Sequence, residues 1–179
     1  PRFQEARDII VRQVEHLTRL VDGLLDVSRI TRGKITLKKE PLSLSDVVDA
    51  AVETSRHLVE QHEHSLNVRM NDPNIRLEGD HARLVQVIAN LLANAAKFTP
   101  KGGHISLVAE RSAGNAVIRV RDTGVGIAKA AQGRVFELFA QEETTLARSQ
   151  GGLGIGLTLV KRLVDMHGGR VTVQSEGPG

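Results

Sequence analysis

The run GGLGIGLTLVK, beginning at Gly151, leaves Gly151, Gly152, Gly154 and Gly156 without side chains and then passes unbroken into an apolar helical pattern reaching about Met166. Few features narrow the options more: the helix must bury its apolar stripe, and its first turn must present bare N–H groups. Two familiar glycine loops do not fit. A Walker A loop needs Gly, four residues and then Gly-Lys-Ser/Thr, whereas Leu157 follows Gly156. A dinucleotide fingerprint follows a strand, and here the polar LARSQ comes first. What survives is the chemistry of a helix N-terminus, whose free N–H groups and dipole attract phosphate oxygens. Read alone, the glycines equally fit a loop that only needs to turn.

At 179 residues and 40% hydrophobic, the chain suffices for one domain with its own core plus a helical appendage. It holds no long apolar run of spanning length, and its start PRFQEARDII lacks the basic-then-apolar order of an export signal. The expectation is a soluble cytoplasmic chain, or the cytoplasmic part of something larger. The lack of cysteine excludes disulfides and thiolate metal sites. The net charge is +3, but the basic residues are scattered among 21 acidic ones and there is no Trp or Tyr to stack on bases, which argues against nucleic acid.

Residues 1 to about 32 read as one helix, because Phe3, Ile10, Leu17 and Leu24 recur every seventh position, with Ala6, Leu20 and Val27 between them and Val14 and Val21 widening the seam. A lone helix with such a stripe needs partners, so it is expected to be one arm of a bundle, stopped by Gly33. Ser45 and Asp46 signal a helix from about Asp46 to Glu63. SLNVRM and IRLEGD follow as strands, then an apolar helix from about Ala82 to Phe98. HISLVAER and NAVIRVRD read as a hairpin across SAGN, GRVFELFA as a short helical piece, and GRVTVQSE as a closing strand. The predicted fold class is α+β, a two-layer sandwich with helices on one face of a mixed sheet, preceded by the long N-terminal helix.

On the apolar helix, Asn90, Asn94 and Lys97 lie four and three apart and so share one stripe, which Arg83 and Gln86 extend. Asn is a weaker helix former than Glu or Lys, so a face meeting only water has little use for it. Amide oxygens near phosphates can join the shell of Mg²⁺, and a lysine can offset phosphate charge. Taken alone, a solvated polar face explains the stripe as well. In RVRDTGVGI, strand alternation puts Asp122 with Ile118 and Val120 on the apolar side, where a buried carboxylate needs a donor. An adenine amino group would serve, with Gly124 and Gly126 letting a flat ring approach the backbone. The alternative is an Asx turn that meets no ligand. His62 and His64 read as a surface cluster, and His104 and His167 as turn residues without a special role. Phe136 and Phe139, three apart, read as a local hydrophobic anchor for the short helix, which would also suit one end of a lid over 140–150 with Arg148 as its charged group.

Taken in order, NLLANAAKFTP, DTGVGI, VFELFAQ and GGLGIGL resemble the N, G1, F and G2 boxes of the sensor histidine kinases of two-component systems, in the superfamily shared with gyrase and Hsp90-type chaperones. LVDGLLDVSRITRGKITL is similar to the second helix of that family's dimerisation and phosphotransfer domain. The resemblance implies a Bergerat-type ATPase fold, with residues 1–33 as part of the dimerisation domain and 34–179 as the catalytic ATP-binding domain. It implies ATP or ADP with Mg²⁺ as ligands, Asn94 as the metal ligand, Asn90 assisting and Lys97 on the phosphates. Asp122 would accept from the adenine amino group, while Gly124, Gly126 and Ile127 shape the base pocket and Phe98 lines it. Gly152, Leu153, Gly154, Gly156 and Leu157 would wrap the phosphates.

Implied partners are a response regulator receiver domain and a second copy of the full-length protein, paired through the N-terminal helix; membrane attachment would come only from regions outside this chain. Two departures stand out. Gln141 occupies a position where many members carry Arg, which makes Arg148 the better phosphate contact. The phosphoacceptor box is missing, since His16 lies in EHLTRL and in the wrong helix. The expectation is therefore a kinase fragment, short of a final strand, that binds ATP but does not phosphorylate itself. A non-catalytic nucleotide-sensing module and an ATP hydrolase of the same superfamily are the alternatives.

Overall fold

A computed structural model describes residues 36–138, 140 and 154–177, together with Gln4, Arg7, Val11, Val14, Thr18 and Leu25. Those six positions are helical, and Thr18 Oγ1 donates to Val14 O at 2.9 Å, one turn back. The remainder of the expected heptad seam lies outside the described residues, as do Phe139, Gln141, Arg148, Gly151, Gly152 and Leu153.

The described elements run β1 (Glu40–Ser43), α1 (Leu44–Gln61), β2 (Ser65–Met70), β3 (Arg76–Gly79), α2 (His81–Phe98), β4 (His104–Ser112), β5 (Asn115–Asp122), the single turn α3 (Lys129–Gln132) and α4 (Gly156–Met166). Helix α1 starts earlier than expected, with Ser43 rather than Ser45 as its N-cap residue. Its buried Leu44, Val47, Val48, Ala51, Ser55 and Val59 recur at the three- and four-residue spacing of one helical face. Helix α2 begins at an Asp80 cap whose side chain accepts the Arg83 N–H, and it ends at Thr99, just before Pro100.

A mixed sheet has the order β2-β4-β5. β2 runs parallel to β4 from Ser65 opposite His104 to Met70 opposite Ala109, and β5 returns antiparallel from Ser112 opposite Asn115 to Ile105 opposite Asp122. The parallel pair needs a crossover, which the stretch through β3 and α2 supplies. A separate antiparallel pair joins β1 to β3. Alternation along β4 turns Ile105, Leu107 and Ala109 toward the helices, where they form one core with Leu44, Val47 and Val48 of α1 and Ile88, Leu92 and Ala96 of α2. Arg119 and Arg121 stay exposed on β5. This is the two-layer α+β arrangement the pattern predicts.

A second, smaller core lies on the other side of α2. Val87 meets Leu159, Val160 and Leu163 of α4, with Leu91, Val164 and Val171 at its margin.

Two expectations fail here. GRVTVQSE forms no strand: residues 171–177 have no ladder to β5, although their apolar and polar positions alternate. Alternation records which side of a pleat is apolar, not whether a partner edge exists. This segment is held instead by hydrogen bonds at Ser175. The helical piece expected at GRVFELFA also shifts, since the helical turn is Lys129–Gln132 and residues 133–136 continue as turns.

Candidate functional site

The polar stripe of α2 is intact. Arg83 Nη1 donates to Gln86 Oε1 at 2.8 Å, and Asn90 Nδ2 donates to Gln86 O at 2.9 Å. Helix α4 lies along this helix in the opposite sense: its start reaches Asn90 and Asn94, while the residue after its end, His167, reaches Asp80 at the start of α2. A methyl group placed on Gly156 would stand 3.4 Å from Asn90 Oδ1 and 3.6 Å from Asn94 Nδ2. The glycine-led end of α4 therefore rests against the two asparagines. Among the described residues, Asn94 Nδ2 is buried and has no hydrogen-bond partner. Such an atom is costly to leave unmade, and in a native protein it marks a place where something else bonds.

The loop after β5 closes the far end of the stripe. Val125 N donates to Phe98 O at 3.1 Å, which seats the loop on the last turn of α2. Gly124 has to be glycine, because a Cβ there would lie 2.6 Å from Phe98 O. Gly126 has φ +70, and a Cβ on it would collide with Gly177 O. Lys97 Nζ sits 4.8 Å from the centroid of the Phe98 ring, and burial pulls the lysine pKa below its ordinary value. Asn90, Asn94, Lys97, Phe98, Asp122, Gly124, Gly126, Ile127, Gly154, Gly156 and Leu157 all border one broad open hollow, which extends along β5 as far as Gly114. Three expected contacts, Arg148, Gly152 and Leu153, lie outside the described residues.

Asp122 corrects the expectation of a buried carboxylate. It is exposed, and its Oδ1 accepts the Gly124 N–H at 2.9 Å in an Asx turn. Being the last residue of its strand, it lies beyond the helices' cover, so alternation overstates its burial. The turn and the ligand role are compatible, since Asp122 borders the hollow and Oδ2 has lone pairs of its own.

Matched against known families, residues 79–179 fit the one described as Histidine kinase-, DNA gyrase B-, and HSP90-like ATPase. The chain belongs to this family. Among its relatives, the circadian input-output histidine kinase CikA of Synechococcus elongatus is 37% identical over 163 residues, covering 90% of this chain and 22% of CikA. The autoinducer 2 sensor kinase/phosphatase LuxQ of Vibrio harveyi is 38% identical over 178 residues, 96% of this chain and 21% of LuxQ. The chain thus spans about a fifth of the length of these relatives. Full-length ShkA, solved in complex with AMPPNP, superposes with a TM-score of 0.82 at 29% identity over 98% of this chain and 36% of ShkA. What the chain matches in the sensor histidine kinases is their ATP-binding catalytic domain.

Within this ATPase-family fold, several residues matter that sequence reading passed over. Ser175 Oγ accepts the Ile127 N–H at 2.9 Å, and Gln132 Nε2 donates to both Ile127 O at 3.0 Å and Ser175 O at 2.9 Å. These side chains clamp the backbone of Ile127. No local signal announces it, because Ser175 is 48 residues away. His167 also has a job: its Nε2 accepts the Asp80 N–H at 3.0 Å. The sequence pattern puts Asp80 at the end of the strand IRLEGD; its place just before an apolar helix is the signal that marks it as a cap. Its carboxyl is held below the ordinary value, because hydrogen bonds from the Lys38 and Arg83 N–H groups and the charge of Arg83 outweigh the opposing effect of burial.

The histidines at 62 and 64 are only partly a surface cluster. Their rings stack with centroids 5.5 Å apart, but His64 is buried and bonds Ala96 O through Nε2 at 2.9 Å. Among the described residues, no His, Asp or Glu cluster of three could hold a metal, and no helix is long and apolar enough to cross a membrane.

Proposed function

We propose that this chain binds ATP between α2, α4 and the loop after β5, and that it serves as the catalytic portion of a sensor histidine kinase. The observation that carries this reading is Asn94. Its amide nitrogen is buried without a partner among the described residues, beside Asn90 and against the glycine-led start of α4, in a chain of an ATP-binding family. Among the described residues helix α4 begins without a side-chain cap, so its first N–H groups would serve phosphate oxygens. Gly152, Leu153, Gly154, Gly156 and Leu157 would follow the phosphates, with Lys97 and Arg148 offsetting their charge. Asp122 Oδ2 would accept from the adenine amino group, and Phe98, Gly124, Gly126 and Ile127 would line the base.

The amides fit Mg²⁺. By rotating about its last side-chain bond, Asn94 can turn Oδ1 to the place where Nδ2 now lies, and a hard cation that keeps most of its waters accepts one such oxygen beside phosphate. When bound, the ion would neutralise charge on the triphosphate. The residues of this chain position and neutralise; phosphoryl transfer of this type asks for no covalent nucleophile from the domain. The acceptor in our reading is a histidine on a helix outside these residues, which attacks the γ-phosphorus as ADP leaves. We assign residues 1–33 to the dimerisation domain and 34–179 to the catalytic domain; the exposure of Val11, Val14 and Leu25 supports a helix that pairs with others in a full-length homodimer. A response regulator receiver domain would take the phosphoryl group onward, in the cytoplasm.

Calorimetry on the 179-residue chain should show saturable binding of Mg-ATP with Kd between about 1 μM and 1 mM. Asn94→Asp puts a negative charge beside the phosphates and should weaken that binding by about a hundredfold, with an unchanged melting temperature. Retained affinity in the variant would refute the role of Asn94. For the full-length protein, labelling with γ-labelled ATP should give an acid-labile phosphoryl group, as a phosphohistidine does.

A further inference from the structure

The glycine-led end of α4 must sit at one particular height along α2 to face Asn90 and Asn94. The apolar contact of Val87 with Leu159, Val160 and Leu163 is small and its attraction non-directional, so it holds that height only in part. A directional bond lies at the opposite end of the helix pair. Asp80 N donates to His167 Nε2 at 3.0 Å, and His167 Nδ1 lies 2.7 Å from Leu163 O. Because Nε2 accepts an N–H, the ring proton sits on Nδ1 and is given to Leu163 O; both nitrogens are engaged and the ring cannot turn over without breaking both bonds. Asp80 itself is fixed by two further bonds, from Arg83 N at 3.1 Å to Oδ1 and from Lys38 N at 3.0 Å to Oδ2. The imidazole therefore ties the end of α4 to the best-anchored residue at the start of α2.

We infer that His167 is a positioning residue for the nucleotide: through Asp80 it sets the register of α4 along α2, and so the fit between Gly156 and the Asn90 and Asn94 amides. The inference rests on the nucleotide reading given above. His167 touches no phosphate; it acts through the helix that it locks in place.

The test is calorimetric titration of Mg-ATP into the 179-residue chain and three variants, with a thermal melt for each. His167→Ala should bind about tenfold more weakly, the size of effect expected when a coupling contact outside the site is cut. His167→Gln should restore binding to within about twofold of the parent, because Gln Oε1 can accept the same Asp80 N–H. Such rescue separates this role from a structural one, in which the loss of affinity would follow the loss of melting temperature in both variants. Equal weakening in His167→Gln, or full affinity in His167→Ala, overturns the inference while leaving the nucleotide reading standing. An absence of saturable binding in the parent chain overturns the nucleotide reading, and the inference with it. Gly79→Ala covers the case in which His167→Ala does not fold. Its methyl group would stand 3.3 Å from His167 Cδ2 and 2.8 Å from the yielding end of Leu84, so it presses on the imidazole from the other side. It should weaken binding several-fold, and unchanged affinity there refutes the positioning role.

Discussion

The two sides of α2 are built on different principles. Toward the sheet, Ile88, Leu92, Ala95 and Ala96 enter a continuous apolar core with α1 and β4, in which thirteen buried residues hold one another in place. Toward α4, the fully buried set shrinks to Val87, Leu159, Val160 and Leu163. Directional hydrogen bonds, Asp80 to His167 and Ile127 to Ser175, supply what so small a core lacks. The comparison teaches a division of labour: one face of the helix secures the fold, and the other carries the proposed nucleotide site, whose parts must stay in register yet admit a ligand.

Substitution in each core should separate these roles. Leu107→Ala, at a fully buried position of the larger core, is expected to cost about 3 kcal/mol by urea denaturation, while the folded molecules bind Mg-ATP as before. Leu163→Ala should cost less, about 2 kcal/mol, yet weaken nucleotide binding; equal affinity in the two variants would break the comparison. Next in size, Asp80→Ala removes the α2 cap and should cost about 1 kcal/mol at neutral pH. The Asp80 pKa is lowered in the fold, so its stabilisation is complete above the ordinary carboxyl range and disappears as pH falls through the lowered value. The difference between parent and variant should shrink across that acid window, and a difference independent of pH would point to packing instead.

The smallest effect concerns Lys97. Burial disfavours its charged form in the free chain, and phosphate would favour that form, so binding takes up a proton wherever free Lys97 is neutral. Mg-ATP affinity should fall, by less than about tenfold, as pH rises through the lowered lysine pKa. Lys97→Arg, charged at every working pH, should flatten that profile.

Much of the fold could be read from local pattern. The faces of α1, α2 and α4, the hairpin of β4 and β5, and the breaks at Pro100 and after Met166 all follow from spacing and turn residues a few positions apart. The amide stripe and the DTGVGI loop were legible for the same reason. What escaped depends on distant partners. Alternation in GRVTVQSE looks like a strand, but no edge receives it, and Ser175 serves Ile127 instead. His167 looks like an ordinary turn residue until the chain brings it to Asp80, 87 positions earlier. Asp122 was placed on the correct strand but given too much burial, because alternation cannot tell where the covering helices stop.

Among the described residues, β5 ends the three-stranded sheet with no neighbour beyond it. An unpaired strand border offers its hydrogen-bonding groups to any passing chain and invites assembly into fibrils. This one carries Arg119 and Arg121, both exposed, so two molecules that met border to border would bring like charges together. The guanidinium groups thus act as a deterrent to aggregation along this edge of the described sheet.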